Sequence, residues 1–185
     1  MKNRAHYIES LGDRLARFKN GSPFEAIETL LLSIQNFFNN EIIHASKNYQ
    51  KSLLFLGIHA AALTISEVLW GIKGESGYKK FLETFIDGDT EDTKFSYVSN
   101  KIHNWRNVLA HQWLASSGYE IQYDYEMKLG FKIVNNILTI NPKIYCDKYI
   151  EAFDNNCKIW DYINLLDKKE LNNIKQRVIK KFIEN

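Results

Sequence analysis

The chain has 185 residues, 45% of them hydrophobic and 14% aromatic, and a formal net charge of +2 at pH 7. That composition excludes a disordered chain, and at this length roughly 70% of the unfolded surface can be buried without staples. So small a net charge gives no argument for a polyanionic partner, although a local basic patch can coexist with near-neutrality.

The elements follow in chain order. Residues 3–19 predict a short amphipathic helix with Ile8, Leu11, Leu15 and Phe18 on one face, ended by Asn20-Gly21. Ser22-Pro23-Phe24-Glu25 is a start signal, with Ser at the N-cap, Pro at the first helical position and Glu at the third. Phe24, Ile27, Leu31, Ile34 and Phe38 recur at helical spacing and carry that helix to about residue 43. Residues 47–72 predict a helix apolar around most of its circumference, closed by Gly71 and Gly74. A short helix from Tyr78 to Ile86 and a polar loop, GDTEDT at 88–93, follow.

The next helix runs from about 94 to 116, with Phe95, Val98, Ile102, Trp105 and Leu109 marking its core face. Then the rhythm changes. YEIQYDYEM (119–127) alternates and FKIVNNILTI (131–140) is rich in β-branched residues, which predicts a β-hairpin with Gly130 between its arms. Asn141-Pro142 opens a helical stretch to about 164, and Asp167-Lys168-Lys169-Glu170 is a capping box for a basic helix over 168–184. The sum is an all-α bundle with a small β excursion in a single domain over residues 1–185.

Residues 53–72 have the length of a membrane-spanning helix. They contain His59, Thr64, Ser66 and Glu67, and an acidic residue within a span costs on the order of 3 kcal/mol, so a buried core helix and no membrane association are expected. His59 itself reads as a hydrogen-bonded core histidine. The two cysteines, Cys146 and Cys157, make neither a disulfide framework nor a zinc pair, and Met1 to Asn20 has no apolar signal region. A reducing, cytoplasmic setting is the expectation.

Five of the 24 basic residues are Arg, so Arg106, inside RNVLAH at 106–111, stands out. On a helical projection Asn100, Asn104, Asn107 and His111 gather opposite the apolar stripe, His103 lies at the edge of that cluster, and Arg106 sits nearer the core face. Five residues apart, Arg106 and His111 point about 140° apart on a straight helix; the long guanidinium arm can wrap partway, and a kink or a second copy of the helix across a two-fold axis aims both at one group better.

These residue types suit phosphoryl chemistry. An imidazole can act as general base or acid near neutrality. A guanidinium fits the oxygens of a phosphate or a phosphorane, and Asn can hold either partner without titrating. Together they could cleave RNA without a metal, by attack of the 2′-hydroxyl on the adjacent phosphorus. No Asp/Glu cluster or His pair at ligand spacing accompanies them, which agrees with no metal and no cofactor.

RNVLAH resembles the signature of the HEPN superfamily (higher eukaryotes and prokaryotes nucleotide-binding domains), an Arg and a His four to six residues apart with a polar residue commonly after the Arg. The resemblance extends to the apolar helix ending in Trp70-Gly71 and to Gly77-Tyr78 with Phe81, Phe85 and Ile86, and covers about residues 23–117. It implies a HEPN-like up-and-down bundle that forms a homodimer through the motif helix. The hairpin at about 119–140 and the C-terminal helices at about 142–184 are additions to it. It implies a metal-independent endoribonuclease, with RNA as substrate, in toxin–antitoxin or defence settings where an antitoxin protein is the partner. Carried over, Arg106 is the motif Arg, Asn107 the polar residue and His111 the motif His.

Three bland readings stand beside it. The chain is a non-catalytic HEPN-like module binding nucleotide, RNA or protein; or the motif is a chance match, since spacing alone supplies roughly 0.4 matches in such a chain; or Arg106 is a snorkelling residue paired with a carboxylate such as Glu67. Trp105 and Trp113 read as packing and interface residues. The basic last helix reads as a solvated face, with an RNA-holding surface as the minority reading.

Overall fold

A computed structural model of the protein describes residues 10–111, 121–154 and 158–184; within α6 the side chains of Ala110 and His111 lie outside that description. The expectations that fall on residues 1–9, Trp113 and Cys157 also lie outside the described residues.

The fold is mainly α with one small sheet. Helix α1 (Leu11–Asn20) stops at Gly21, whose N–H donates to the Arg17 carbonyl. Helix α2 (Pro23–Phe37) starts on the expected reciprocal cap: Ser22 Oγ accepts from Glu25 N–H, and the Glu25 carboxylate accepts from Ser22 N–H. It runs through a π turn at Phe38–Ile42 into α3 (Ile43–Lys47), and the chain turns at Tyr49, in the left-handed region at φ 57°.

Helix α4 (Lys51–Trp70) is the central rod, packed against α3, α5, α6, α7 and α9. It is the one helix among the described residues long and apolar enough to cross a membrane, and more than half of that stretch is buried inside the fold. Gly71, at φ 69°, ends it in the left-handed conformation that costs a glycine nothing. Helix α5 (Gly74–Phe81) continues through a π turn at Leu82–Ile86, and a single-turn 3₁₀ helix at Phe95–Val98 leads into α6 (Ser99–His111). After the sheet come α7 (Pro142–Phe153), α8 (Lys158–Asn164) and α9 (Lys168–Phe182), the last opened by the Asp167/Glu170 capping box.

The hairpin lies elsewhere than expected. The antiparallel pair is β2 (Phe131–Val134) with β3 (Ile137–Ile140), and β1 (Ile121–Tyr123) joins the other side of β3 in parallel, giving the order β1-β3-β2. The turn is Asn135-Asn136, at φ 50° and 64°. Two consecutive left-handed residues make the turn whose twist matches the strands, and Asn tolerates that conformation. Gly130 does not turn the chain. It lets the backbone come close to the Asp92 carbonyl and the Phe95 ring, and its N–H donates to Asp92 Oδ2 at 3.1 Å.

One buried apolar cluster spans these elements, from Phe18 on α1 through Phe55 on α4 and Tyr145 on α7 to Val178 on α9. Half of the basic residues of α9 bond to other elements, while Lys168, Lys169 and Lys180 face solvent as expected. Arg177 caps the C-terminal end of α4 through the Val68 and Leu69 carbonyls, at 3.0 and 2.7 Å. Lys175 donates to the Gly21 carbonyl and Lys181 to Glu67. Removing the α2 cap should be measurable. Ser22→Ala is expected to lower the unfolding free energy by about 1 kcal/mol in urea titration, with the slope of the transition unchanged.

Candidate functional site

Helix α6 carries the motif. Its entry is fixed by Asp87, whose carboxylate accepts from the Ser96 N–H at 3.0 Å and from the Ser96 hydroxyl. Ile102 and Trp105 face the core, and the Trp105 indole meets Phe55 edge-on at 5.4 Å and Tyr123 at 5.5 Å. With that face committed, the helical twist fixes the rest. Asn100 and Asn104 point to solvent, while His103, Arg106 and Asn107 are half-buried.

Arg106 Nη1 donates to Asn107 Oδ1 at 3.1 Å, so two of the three expected residues are side by side. Arg106 Nε is sealed from water with no hydrogen-bond partner among the described residues. The backbone of α6 continues to His111, whose side chain lies outside the described residues. The structure therefore joins Arg106 to Asn107 and places His111 by its helix position alone.

The considered ion pair between Arg106 and Glu67 does not form. Glu67 is held by Lys73 at 2.9 Å and by Lys181. Burial pushes the Glu67 carboxyl up, but the two lysines outweigh it and hold it below the usual range. The reason is axial distance: α4 faces α6 through His59, and Glu67, eight residues on, lies about 12 Å further along the helix.

His59 is the residue whose role the sequence left incomplete. It is buried on α4, its ring 4.2 Å from that of Tyr78, and its Nε2 lies 3.0 Å from Nδ1 of His103 on α6. The expected hydrogen-bonded core histidine is thus present, and its partner is a residue of the motif helix. Behind it, Tyr78, Tyr145 and Tyr149 are linked through their hydroxyls inside the core. Burial first, then the neighbouring His103 and Arg106, push the His59 pKa down to about 3, so the ring is neutral. His103 is also lowered by burial; Glu75 raises it and Arg106 lowers it. A buried histidine on an apolar helix needs a polar partner, and that demand was the signal available in the sequence.

Among the described residues no group of three or more His, Cys, Asp or Glu is arranged to hold a metal ion. A cavity of about 370 Å³ opens between the Phe38–Ile42 turn and α4, lined by Phe37, Ile42, Ala45, Leu53 and Gly57; His103, Arg106 and Asn107 do not line it. Known protein families, curated proteins and solved structures give no match to the chain.

What the α6 flank offers chemically is one permanent cation, one amide and an imidazole pair, in a half-buried setting where hydrogen bonds to an anion gain strength. The His59 shift also makes a stability prediction. The folded pKa lies below the unfolded value of 6.5, so the unfolded chain takes up a proton that the folded one excludes. The contribution is fully present above pH 6.5 and is lost as pH falls toward 3, with a slope of about 1.4 kcal/mol per pH unit. Denaturant titrations should approach this slope as pH falls from 6.5 to 5, and His59→Phe should remove the larger part of it.

Proposed function

We propose that the chain is a metal-independent endoribonuclease of HEPN type. Its substrate is RNA, and it acts in the cytoplasm as a homodimer paired through α6, in a toxin–antitoxin or defence setting with an antitoxin protein as partner. The observation that carries this reading is the Arg106–Asn107 pair, half-buried and joined at 3.1 Å on the helix whose backbone also carries His111.

The roles follow from the chemistry of the groups. His111 removes the proton of the 2′-hydroxyl, and that oxygen attacks the adjacent phosphorus. The Arg106 guanidinium, unable to lose its proton, neutralises the charge that builds on the non-bridging oxygens. Asn107 holds the guanidinium plane in place through its Oδ1. The 5′-oxygen leaves with a proton taken from water, and a 2′,3′-cyclic phosphate remains. A second copy of α6 answers the angular problem, since Arg106 of one helix and His111 of the other can face the same cleft.

The test uses the purified chain and a labelled RNA in the presence of EDTA. Wild type is expected to leave cyclic phosphate ends, and Arg106→Ala and His111→Ala are each expected to cut on the order of 100-fold more slowly. Undiminished cleavage in both variants, or cleavage abolished by the chelator, contradicts the reading. A chain that binds RNA and never cuts it is the binding module instead.

A further inference from the structure

On α6 the residue that shares the flank of Arg106 is His103. The two are three positions apart, about 60° around the helix, and so are surface neighbours, whereas the helix position of His111 is about 140° round from that of Arg106. Both are half-buried. His103 is not free to rotate: its Nδ1 is engaged by His59 at 3.0 Å, and the His59 ring is fixed by burial against Tyr78. The other nitrogen of His103, Nε2, makes no hydrogen bond among the described residues and is not one of the nitrogens sealed from water.

The hydrogen-bond accounting sets the tautomer. His59 Nδ1 is sealed and has no partner. A proton there would be an orphaned buried N–H, the rarer and costlier omission. With the proton on Nε2, His59 donates to His103 Nδ1, and the proton of His103 must then sit on its own Nε2. The outward edge of His103 is an N–H donor with no charge.

We propose that His103 is a second functional imidazole of this face: positioned by His59, it presents Nε2–H beside the Arg106 guanidinium as a neutral donor to a non-bridging oxygen of an RNA phosphodiester. The ligand class rests on the ribonuclease reading above. A phosphodiester carries one negative charge, which one guanidinium balances, and a neutral N–H adds direction without overcharging the site. The charged and titratable groups that face His103 are Arg106 on its own helix, His59 on α4, and Glu75 and Tyr78 on α5, the Tyr78 ring 6.2 Å from that of His103; Glu75 is exposed and screened by solvent.

Two measurements on the full chain test this. The first is binding of a 2′-O-methyl oligonucleotide, which cannot be cut, to wild type, His103→Ala and His103→Gln. His103→Ala should bind on the order of tenfold more weakly, and His103→Gln should recover much of the loss because its amide N–H reaches a similar place. The second is the imidazole nitrogen NMR spectrum of wild type at neutral pH, where His103 should be protonated on Nε2. Equal binding by wild type and His103→Ala, or a His103 protonated on Nδ1, overturns the proposal. Wild type that binds the oligonucleotide but cleaves no RNA sinks the nuclease reading and leaves the role of His103 to be read from binding; wild type that binds no RNA sinks both.

Discussion

The twist of α6 is the constraint on which the candidate site depends. An α-helix turns about 100° per residue, so burying Ile102 and Trp105 against α4 and the sheet leaves no freedom in where the other residues point. Arg106 comes out at the edge of the core face, Asn107 next to it, and His103 on the same flank one turn back. By helix position alone His111, five residues on, is about 140° round from Arg106. A straight helix therefore places the two positions poorly for one small group, and a kink needs an identifiable cause.

Helix α4 supplies the other half of the arrangement. Its aromatic and aliphatic residues make it the centre of the core, with Phe55 stacked on Tyr145 at 5.1 Å and in contact with Trp105 and Tyr123. Into this surface it inserts one polar ring, His59, with one nitrogen satisfied by His103 and the other unpaired. Leaving a buried polar atom unpaired costs about 1–3 kcal/mol. The surrounding aromatic burial offsets that cost, since each fully buried large apolar side chain contributes about 1.5–3 kcal/mol. The outcome is a rigid contact between the core helix and the motif helix, made through two histidines. Unexplained buried polar pairs of this kind are where function is worth seeking.

Much of the fold was legible in the sequence because local signals were strong. Ser22-Pro23 with Glu25, Asp167 with Glu170, and Gly71 after the apolar helix each act within one turn of chain, and each stands where the pattern put it. The sheet was misplaced because FKIVNNILTI was read as one strand, when Asn135-Asn136 carries the turn. The parallel addition of β1 depends on contacts across the fold that a local pattern does not contain. Arg106 and Asn107 could be picked out from composition and spacing. The link from His103 to His59, 44 residues earlier, could not, because nothing in either neighbourhood specifies which helix faces which. Six basic residues on the last helix suggested a charged face, yet Lys175, Arg177 and Lys181 are drawn inward by carbonyls and a carboxylate of other elements.

The central claim is that Arg106 and His111 reach the same phosphate only from different chains. Mixing the two inactive variants, Arg106→Ala and His111→Ala, and allowing subunits to exchange tests it directly. A mixed dimer then contains one cleft with an intact guanidinium from one chain and an intact imidazole from the other. The account predicts that RNA cleavage returns on mixing, toward about a quarter of the wild-type rate at equal amounts, since half the dimers are mixed and each holds one complete cleft of two. Exchange demonstrated by mass, with no return of cleavage, would contradict it.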